Sequence, residues 1–266
     1  MKTTFASPNE KTMTANTFPS SEPSTVPAGT QTRAPRPASR RVTDATTRML
    51  HWLMALSFTG AYLTADGERW RLVHVTLGYT LAGLLVARVL WGLLGPRQAR
   101  LSVLARKLKG FPAWLKSLGS VNSLDTLQPA WRQGQNLLMA LAVALILGVV
   151  IPLTLSGYAV WDEWSGEWLE DVHEFFGTAL LMMVLAHIGL IALTSLLRRK
   201  NQALPMLTGR VPGSGPDVAR RNHGFLATLV LTCVLGFCGW QWSEAPQNAA
   251  AQGATQIDNH RQHDND

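Results

Sequence analysis

The chain has 266 residues, a formal net charge of +7 at pH 7 and an apolar share of 47%. Its apolar residues collect in stretches that approach the ~20 residues needed to cross a bilayer, which excludes an ordinary soluble domain. The Lys and Arg residues cluster beside these stretches, and this placement disfavours a protein that binds nucleic acid. The sequence therefore predicts an all-α integral membrane protein.

The amino-terminal segment 1–47 is dominated by Ser, Thr and Pro and contains few apolar side chains. It buries too little apolar surface to offset its chain entropy, so we predict that it is disordered. No apolar stretch follows its first Lys, so we do not expect a cleavable signal peptide. We predict the same unstructured state for the polar tail 243–266.

Five apolar stretches are predicted to form transmembrane helices. They cover approximately residues 49–65, 72–94, 136–157, 172–197 and 225–242. The first four are predicted to form a four-helix transmembrane bundle, within a domain of residues 48–211. Residues 212–242 then contain a linker and the fifth helix, and residues 243–266 form the tail.

The distribution of charge predicts how the bundle is oriented. Lys and Arg are frequent before the first span, between the second and third, and after the fourth, whereas the loop between the third and fourth has none. That loop instead carries five acidic residues: Asp162, Glu163, Glu167, Glu170 and Asp171. Because positive charge marks the cytoplasmic side, the amino terminus is predicted to be cytoplasmic and the tail to lie outside.

Four histidines within the predicted spans form two pairs by depth. His173 and His187 are fourteen residues apart, so on one helix they share a face, ~40° and ~21 Å apart. His51 lies at the inner start of span one, level with His187, whereas His74 lies at the outer start of span two, level with His173. Ionisable side chains within a bilayer are costly and indicate a functional site by default.

Two imidazoles that face each other across a bundle are what six-coordinate haem iron requires. The sequence therefore predicts two haems, one between His51 and His187 and one between His74 and His173. Glycines in the same spans would permit close approach of a porphyrin: Gly60, Gly78, Gly83, Gly177 and Gly189. Three alternatives stay open: histidines that only bond neighbouring helices, a non-haem metal site, and a translocation path through a transporter.

Arg88 is the other charged residue inside a span. It follows His74 by fourteen residues, so it lies on nearly the same face at the inner level. Its guanidinium could hold a propionate of the inner haem, or it could extend to the nearby membrane surface, and the sequence leaves both open. Arg48, Arg69 and Arg71 are further propionate candidates at the membrane edges.

Four sequence segments carry a resemblance that covers roughly residues 43–211. They are RMLHW, HVTLGYTLAGLLVARVLWGLLGPRQARLS, DVHEFFGTALLMMVLAHIGLIAL and MLTGR. The chain resembles the prokaryotic cytochrome b561 family, which includes the b-type cytochrome subunits of nickel–iron hydrogenases. The resemblance implies that His51, His74, His173 and His187 are axial ligands of two non-covalent b-type haems. It further implies transfer of electrons between a redox partner and the membrane quinone pool.

We therefore expect a multi-pass dihaem cytochrome of the bacterial inner membrane, with no catalytic residues of its own. Its expected partners are lipid, quinone and a periplasmic c-type cytochrome or hydrogenase-like subunit, as part of a respiratory chain. Whether it is the cytochrome subunit of a quinone-linked oxidoreductase is open. The rival interpretations are a metal or ion transporter, and an anchor subunit whose partner does all the redox work.

Overall fold

The computed structural model describes residues 38–118, 124–164 and 166–263. Eight α-helices, two short 3₁₀ helices (Glu68–Trp70 and Arg97–Ala99) and two short strands occur in these residues. The helices are α1 (Ala45–Leu63), α2 (Arg71–Leu94), α3 (Leu101–Lys109), α4 (Phe111–Leu118), α5 (Leu124–Trp161), α6 (Trp168–Arg198), α7 (Leu204–Leu207) and α8 (Gly224–His263). The strands β1 (Ser39–Arg41) and β2 (Arg210–Pro212) pair antiparallel. The all-α class predicted from the sequence is confirmed.

Four of the described helices are long and apolar enough to cross a membrane. They are α2, residues 133–161 of α5, α6 and residues 224–244 of α8. The first predicted span forms α1, which is long enough but more polar, because Thr46, Thr47, Arg48 and His51 occupy its first two turns. Its crossing of the bilayer stays a prediction.

Each long helix packs mainly on its neighbours in the bundle, and α6 is joined to the others through α5. α1 packs along α2, α2 contacts α5, and α5 packs along α6, while α8 lies against α1 and α2. Among the described residues, α6 makes few close backbone contacts with α1 or α2. The helices that carry paired histidines are therefore kept apart at backbone level, and α5 bridges α2 and α6.

A cluster of buried apolar side chains fills the centre of this bundle. It contains Phe58 of α1, Leu81 and Leu85 of α2, Val150 and Leu153 of α5, and Leu180 of α6. Leu180 is seven residues from both His173 and His187, which places it midway between the two predicted haem levels. We call these six residues the central apolar layer.

The start of α1 is fixed by a small cap at one end of the bundle. Asp44 is fully buried, and its carboxylate accepts hydrogen bonds from the backbone N–H and the hydroxyl of Thr47. The N–H of Ala45 donates to the carbonyl of Asn222, and β1 pairs with β2. The cap ties the chain before α1 to the chain between α6 and α8.

The structure departs from the predicted unstructured segments at two places. Residues 38–47 are ordered, because β1 finds a pairing strand 169 or more residues later and Asp44 caps α1. The rest of the predicted disordered segment lies outside the described residues. At the other end, α8 continues to His263, although we predicted an unstructured tail from residue 243.

Candidate functional site

His74 and His173 face each other near one end of the bundle. His74 lies in the first turn of α2 and His173 in the second turn of α6. Their ring centroids are 6.0 Å apart, and the ring planes are inclined by 80°. Imidazole nitrogens bind zinc at about 2.0–2.1 Å, and iron requires a similar bond length, so one metal ion between two rings separates their centroids by roughly 6 Å. The observed spacing fits an iron atom held between these rings.

The second nitrogen of each ring in this pair is already bound to a backbone carbonyl. Nδ1 of His74 lies 2.8 Å from the carbonyl oxygen of Ala61, and Nδ1 of His173 lies 3.1 Å from that of Leu153. The hydroxyl oxygen of Ser156 is 3.4 Å from the same atom of His173. Because a carbonyl only accepts, Nδ1 donates in both rings, and this leaves the lone pair of Nε2 for a metal.

Gly157 makes room for the His173 ring beside α5. A Cβ atom added at residue 157 would lie 2.7 Å from Cε1 and 3.0 Å from Nδ1 of His173. Real Cβ atoms essentially never approach other atoms so closely, so any larger residue would displace the ring. Together with the Leu153 carbonyl and Ser156, Gly157 forms a cradle on α5 that fixes the direction of His173.

His51 and His187 are the second predicted pair, and their side chains are close enough to interact electrostatically. Nδ1 of each ring is buried and has no hydrogen-bond partner among the described residues. The ring of Trp52 packs nearly perpendicular to that of His51, with ring centroids 5.3 Å apart. We name this the inner pair and His74 with His173 the outer pair, following the predicted orientation.

Each pair could offer two nitrogen ligands, which suits haem better than a protein-only metal site. Within the part of the chain that the structure describes, no three His, Cys, Asp or Glu side chains gather where they could hold a metal ion. Structural and catalytic zinc sites use three or four such ligands. A porphyrin supplies the remaining four nitrogens itself, so two opposed imidazoles complete six-coordinate iron.

The comparison with protein families decides between these interpretations. Residues 42–209, more than half of the chain, match the family model described as prokaryotic cytochrome b561. The chain belongs to the prokaryotic cytochrome b561 family. It is a bacterial membrane cytochrome of the b type, which binds b-type haem and takes part in electron transfer. No curated protein and no solved structure matched the cytochrome in the two other comparisons.

The four paired histidines of this cytochrome lie inside the matched residues, whereas α8 lies beyond them. The glycines singled out from the sequence differ in their surroundings, and their role beside a porphyrin stays a prediction. A Cβ at Gly60 would meet Leu77 at 2.6 Å, so Gly60 permits close packing of α1 on α2. Gly78, Gly83 and Gly189 have open space around them, and Gly177 has only Leu153 at 3.9 Å.

Arg88 is bound to the chain segment that follows α2. Its Nη1 donates a hydrogen bond of 3.3 Å to the carbonyl of Ala99, and its guanidinium interacts electrostatically with the buried carboxylate of Asp44. The described contacts do not connect it to a histidine. These partners stabilise the buried cation without a haem propionate. They favour the alternative in which the Arg88 side chain extends towards the nearby membrane surface, and its propionate role stays a prediction.

The surroundings of Arg48 suit binding of a haem propionate better than those of Arg88 do. It precedes His51 by three residues, so the two side chains lie on one side of α1. Its Nε is buried and has no hydrogen-bond partner among the described residues, while its Nη1 occupies the space that a Cβ at Gly209 would need. A guanidinium whose buried Nε donor is unused, beside the inner pair, is suited to bind a carboxylate.

α5 contributes to the site in a way that the sequence did not predict. Because α5 carries no histidine, we assigned its stretch no role in the site, yet Leu153, Ser156 and Gly157 orient His173. One signal was present: a Ser-Gly pair stands near the outer end of the third span, at the predicted level of His173. The carbonyls of Ala61 and Leu153 left no signal, because every residue has one.

Proposed function

We propose that this cytochrome holds two b-type haems, one at each histidine pair, and passes electrons between an external redox partner and the membrane quinone pool. The observation that carries the proposal is the outer pair, with rings 6.0 Å apart and both Nδ1 atoms bonded to carbonyls. That arrangement offers two Nε2 lone pairs to one iron atom. A low-spin haem with both axial positions filled exchanges single electrons and leaves no open position for oxygen.

The two pairs lie at different depths, so the proposed electron transfer between them would run across the membrane and not along its plane. His173 and His187 are separated by fourteen residues of continuous helix, a rise of roughly 21 Å. An electron that passes from one level to the other therefore moves through much of the insulating layer. A full crossing corresponds to about 2.3 kcal/mol per 100 mV of membrane potential.

The central apolar layer favours electron transfer as the function and disfavours a translocation path for ions. Its six side chains are buried and apolar, and they lie between the two levels. An ion or a hydrated metal would have to leave polar surroundings to pass it, at a cost of several kcal/mol. An electron needs no such hydration. The rival transporter interpretation is therefore disfavoured by what lies between the histidine pairs.

The acidic segment between α5 and α6 is our proposed docking surface for the redox partner. Its five acidic side chains are exposed, and the segment contains no Lys or Arg. It stands at the same end of the bundle as the outer pair, since α6 begins there at Trp168. Complementary charge accelerates association, so a basic periplasmic c-type cytochrome or a basic face of a hydrogenase-like subunit fits this surface.

Neutralising part of this segment is expected to slow reduction or oxidation of the cytochrome by such a partner. The double variant Glu163→Gln with Glu167→Gln avoids Glu170 and Asp171, which stand in the first turn of α6 and favour its dipole. We expect a several-fold lower association rate at low ionic strength, measured by stopped-flow spectroscopy with a basic c-type cytochrome. The difference should vanish at high salt.

The control for this measurement is Asp66→Asn, which removes an exposed acid from the loop between α1 and α2, outside the acidic segment. It should leave the rate close to that of the parent protein. Equal rates for the double variant, the control and the parent protein at low salt would place the docking surface elsewhere.

Replacing Arg48 by Gln is expected to lower the reduction potential of the inner haem. Removing a positive charge disfavours the reduced haem, which carries one more negative charge. A unit charge about 10 Å away at an effective dielectric constant of about 20 contributes ~1.7 kcal/mol, or roughly 70 mV. Redox titration followed at the haem absorption bands would measure the shift. Arg69→Gln, in the loop on the other side of the bundle, is the control and should leave this potential unchanged.

The quinone step has its own test. Short-chain quinol added to proteoliposomes should reduce the haems of the parent protein, and oxidised external cytochrome should then accept the electrons. Absence of quinol reduction, with haem present and the haems reducible by dithionite, would remove quinone from the proposal and leave the haem sites intact.

A further inference from the structure

A basic cavity lies where α2 passes into α3, apart from the histidine pairs. It has a volume of about 510 Å³ and is lined by Arg97, Arg100, Ser102, Val103 and Arg106. Three of its five lining residues are arginines, and no Asp or Glu occurs in the sequence from Gly95 to Leu118. The cavity therefore concentrates positive charge that no acid of its own segment neutralises.

The wall of this cavity is fixed to the end of α2. Nε of Arg100 donates a hydrogen bond of 3.1 Å to the carbonyl of Gly95, and Nη1 of Arg88 donates to Ala99. Leu101 packs so closely on Gly92 that a Cβ there would overlap it. Because these contacts hold both the turn and the first residue of α3, the arginines project from a framework anchored to a transmembrane helix.

Exposed apolar side chains directly precede the cavity-lining residues in the sequence. Leu93 is 62% exposed and Leu94 is 82% exposed, and both belong to the last turn of α2, directly before the basic turn. α3 adds an amphipathic surface whose Leu104 and Leu108 are half-buried while Arg106 and Lys107 are exposed. Cations beside exposed leucines at the end of a membrane helix match a ligand that has an anionic head and apolar chains.

We propose that this cavity binds the phosphodiester headgroup of an anionic phospholipid, with the acyl chains against Leu93 and Leu94. Guanidinium groups donate paired hydrogen bonds to phosphate oxygens, and three of them around one cavity provide several such donors. A free phosphate ion would use the arginines but gain nothing from the leucines. A bound lipid would stabilise the α2–α3 turn, to which Arg88 is bonded.

The test measures binding of a fluorescent phosphatidylglycerol to the haem-loaded protein in nanodiscs of phosphatidylcholine. The double variant Arg97→Gln with Arg106→Gln removes two charges that line the cavity. The matched control, Lys107→Gln with Lys109→Gln, removes two charges from α3 that do not line the cavity. We expect roughly tenfold weaker binding for the cavity variant and near-parental binding for the control. Haem content and melting temperature should be unchanged in both variants.

Two outcomes would overturn the proposal. Equal weakening in the two double variants would show that the lipid responds to general basic charge on α3 and not to the cavity. Displacement of the lipid by millimolar inorganic phosphate, together with equal affinity of the cavity for phosphate alone, would assign the cavity to a free anion. Retention of the lipid against phosphate by the parent protein, and its loss in the cavity variant alone, would establish the site.

Discussion

Replacing His173 by Ala is expected to reduce the haem content of the purified protein from two per chain to one. The outer pair would lose one of its two proposed axial nitrogens, while the inner pair, a roughly 21 Å rise away along α6, would keep both of its proposed ligands. His74→Ala should remove the same haem, and His51→Ala or His187→Ala should remove the other. Reduced-minus-oxidised spectra and haem extraction, normalised to protein, would measure the content.

His223→Ala is the control for the ligand variants. The His223 ring packs edge-on against Trp91, with centroids 5.1 Å apart, and belongs to neither pair. It should retain both haems. A combined His74→Ala and His173→Ala variant should lose no more haem than either single variant, because the two residues share one site. Retention of both haems in His173→Ala, in protein that inserts into the membrane normally, would contradict the assignment of the outer pair.

Replacing Gly157 by Ala is expected to weaken binding of the outer haem although no ligand is removed. The added methyl would lie 2.7 Å from Cε1 of His173, so the ring must turn or move away from the Leu153 carbonyl. Overpacking of this kind costs about 1–3 kcal/mol, which corresponds to a roughly ten- to hundred-fold lower haem affinity. Haem retention during dilution into apomyoglobin would measure it, with the inner haem as an internal reference.

Gly148→Ala is the matched control, since Gly148 lies in the same helix and has open space where its Cβ would be. Alanine is the better helix former by roughly 1 kcal/mol, so this variant should be as stable as the parent protein or more so. Normal haem retention in Gly157→Ala would mean that the cradle on α5 does not position His173.

The long apolar helices and the spacing of the histidines along them follow from the sequence, because both depend on local periodicity. An apolar stretch of sufficient length predicts a span, and a spacing of fourteen residues puts His173 and His187 on one face. The family match over residues 42–209 agrees with the resemblance over 43–211. The segment with the least certain local signal was α1, whose Arg48 and His51 lower its hydropathy.

The partners of the histidines could not be predicted, because they depend on how neighbouring helices are rotated and shifted against each other. Nδ1 of His74 bonds the carbonyl of Ala61 on α1, thirteen residues earlier, and Nδ1 of His173 bonds Leu153 on α5. Periodicity within one helix contains no such information. Arg88 shows a related limit: its backbone lies on the His74 face, but its long side chain reaches Ala99 beyond the end of α2.

The cap at the start of α1 was missed for a different reason. Residues 39–41 have the composition of a disordered segment, and their order depends on pairing with residues 210–212, which lie 169 or more residues later in the sequence. Long-range strand pairing of three residues has no local signature. Asp44 before a helical stretch is an N-cap signal, and it could have placed the start of α1 at residue 45.

The most direct test of the account is the haem content of the purified parent protein, produced in cells that make haem in excess. We expect two non-covalent b-type haems per chain, both low-spin and both reducible, since each histidine pair offers two axial nitrogens to one iron. Protein that is inserted correctly in the membrane and yet is colourless, or that never exceeds one haem per chain, would contradict it.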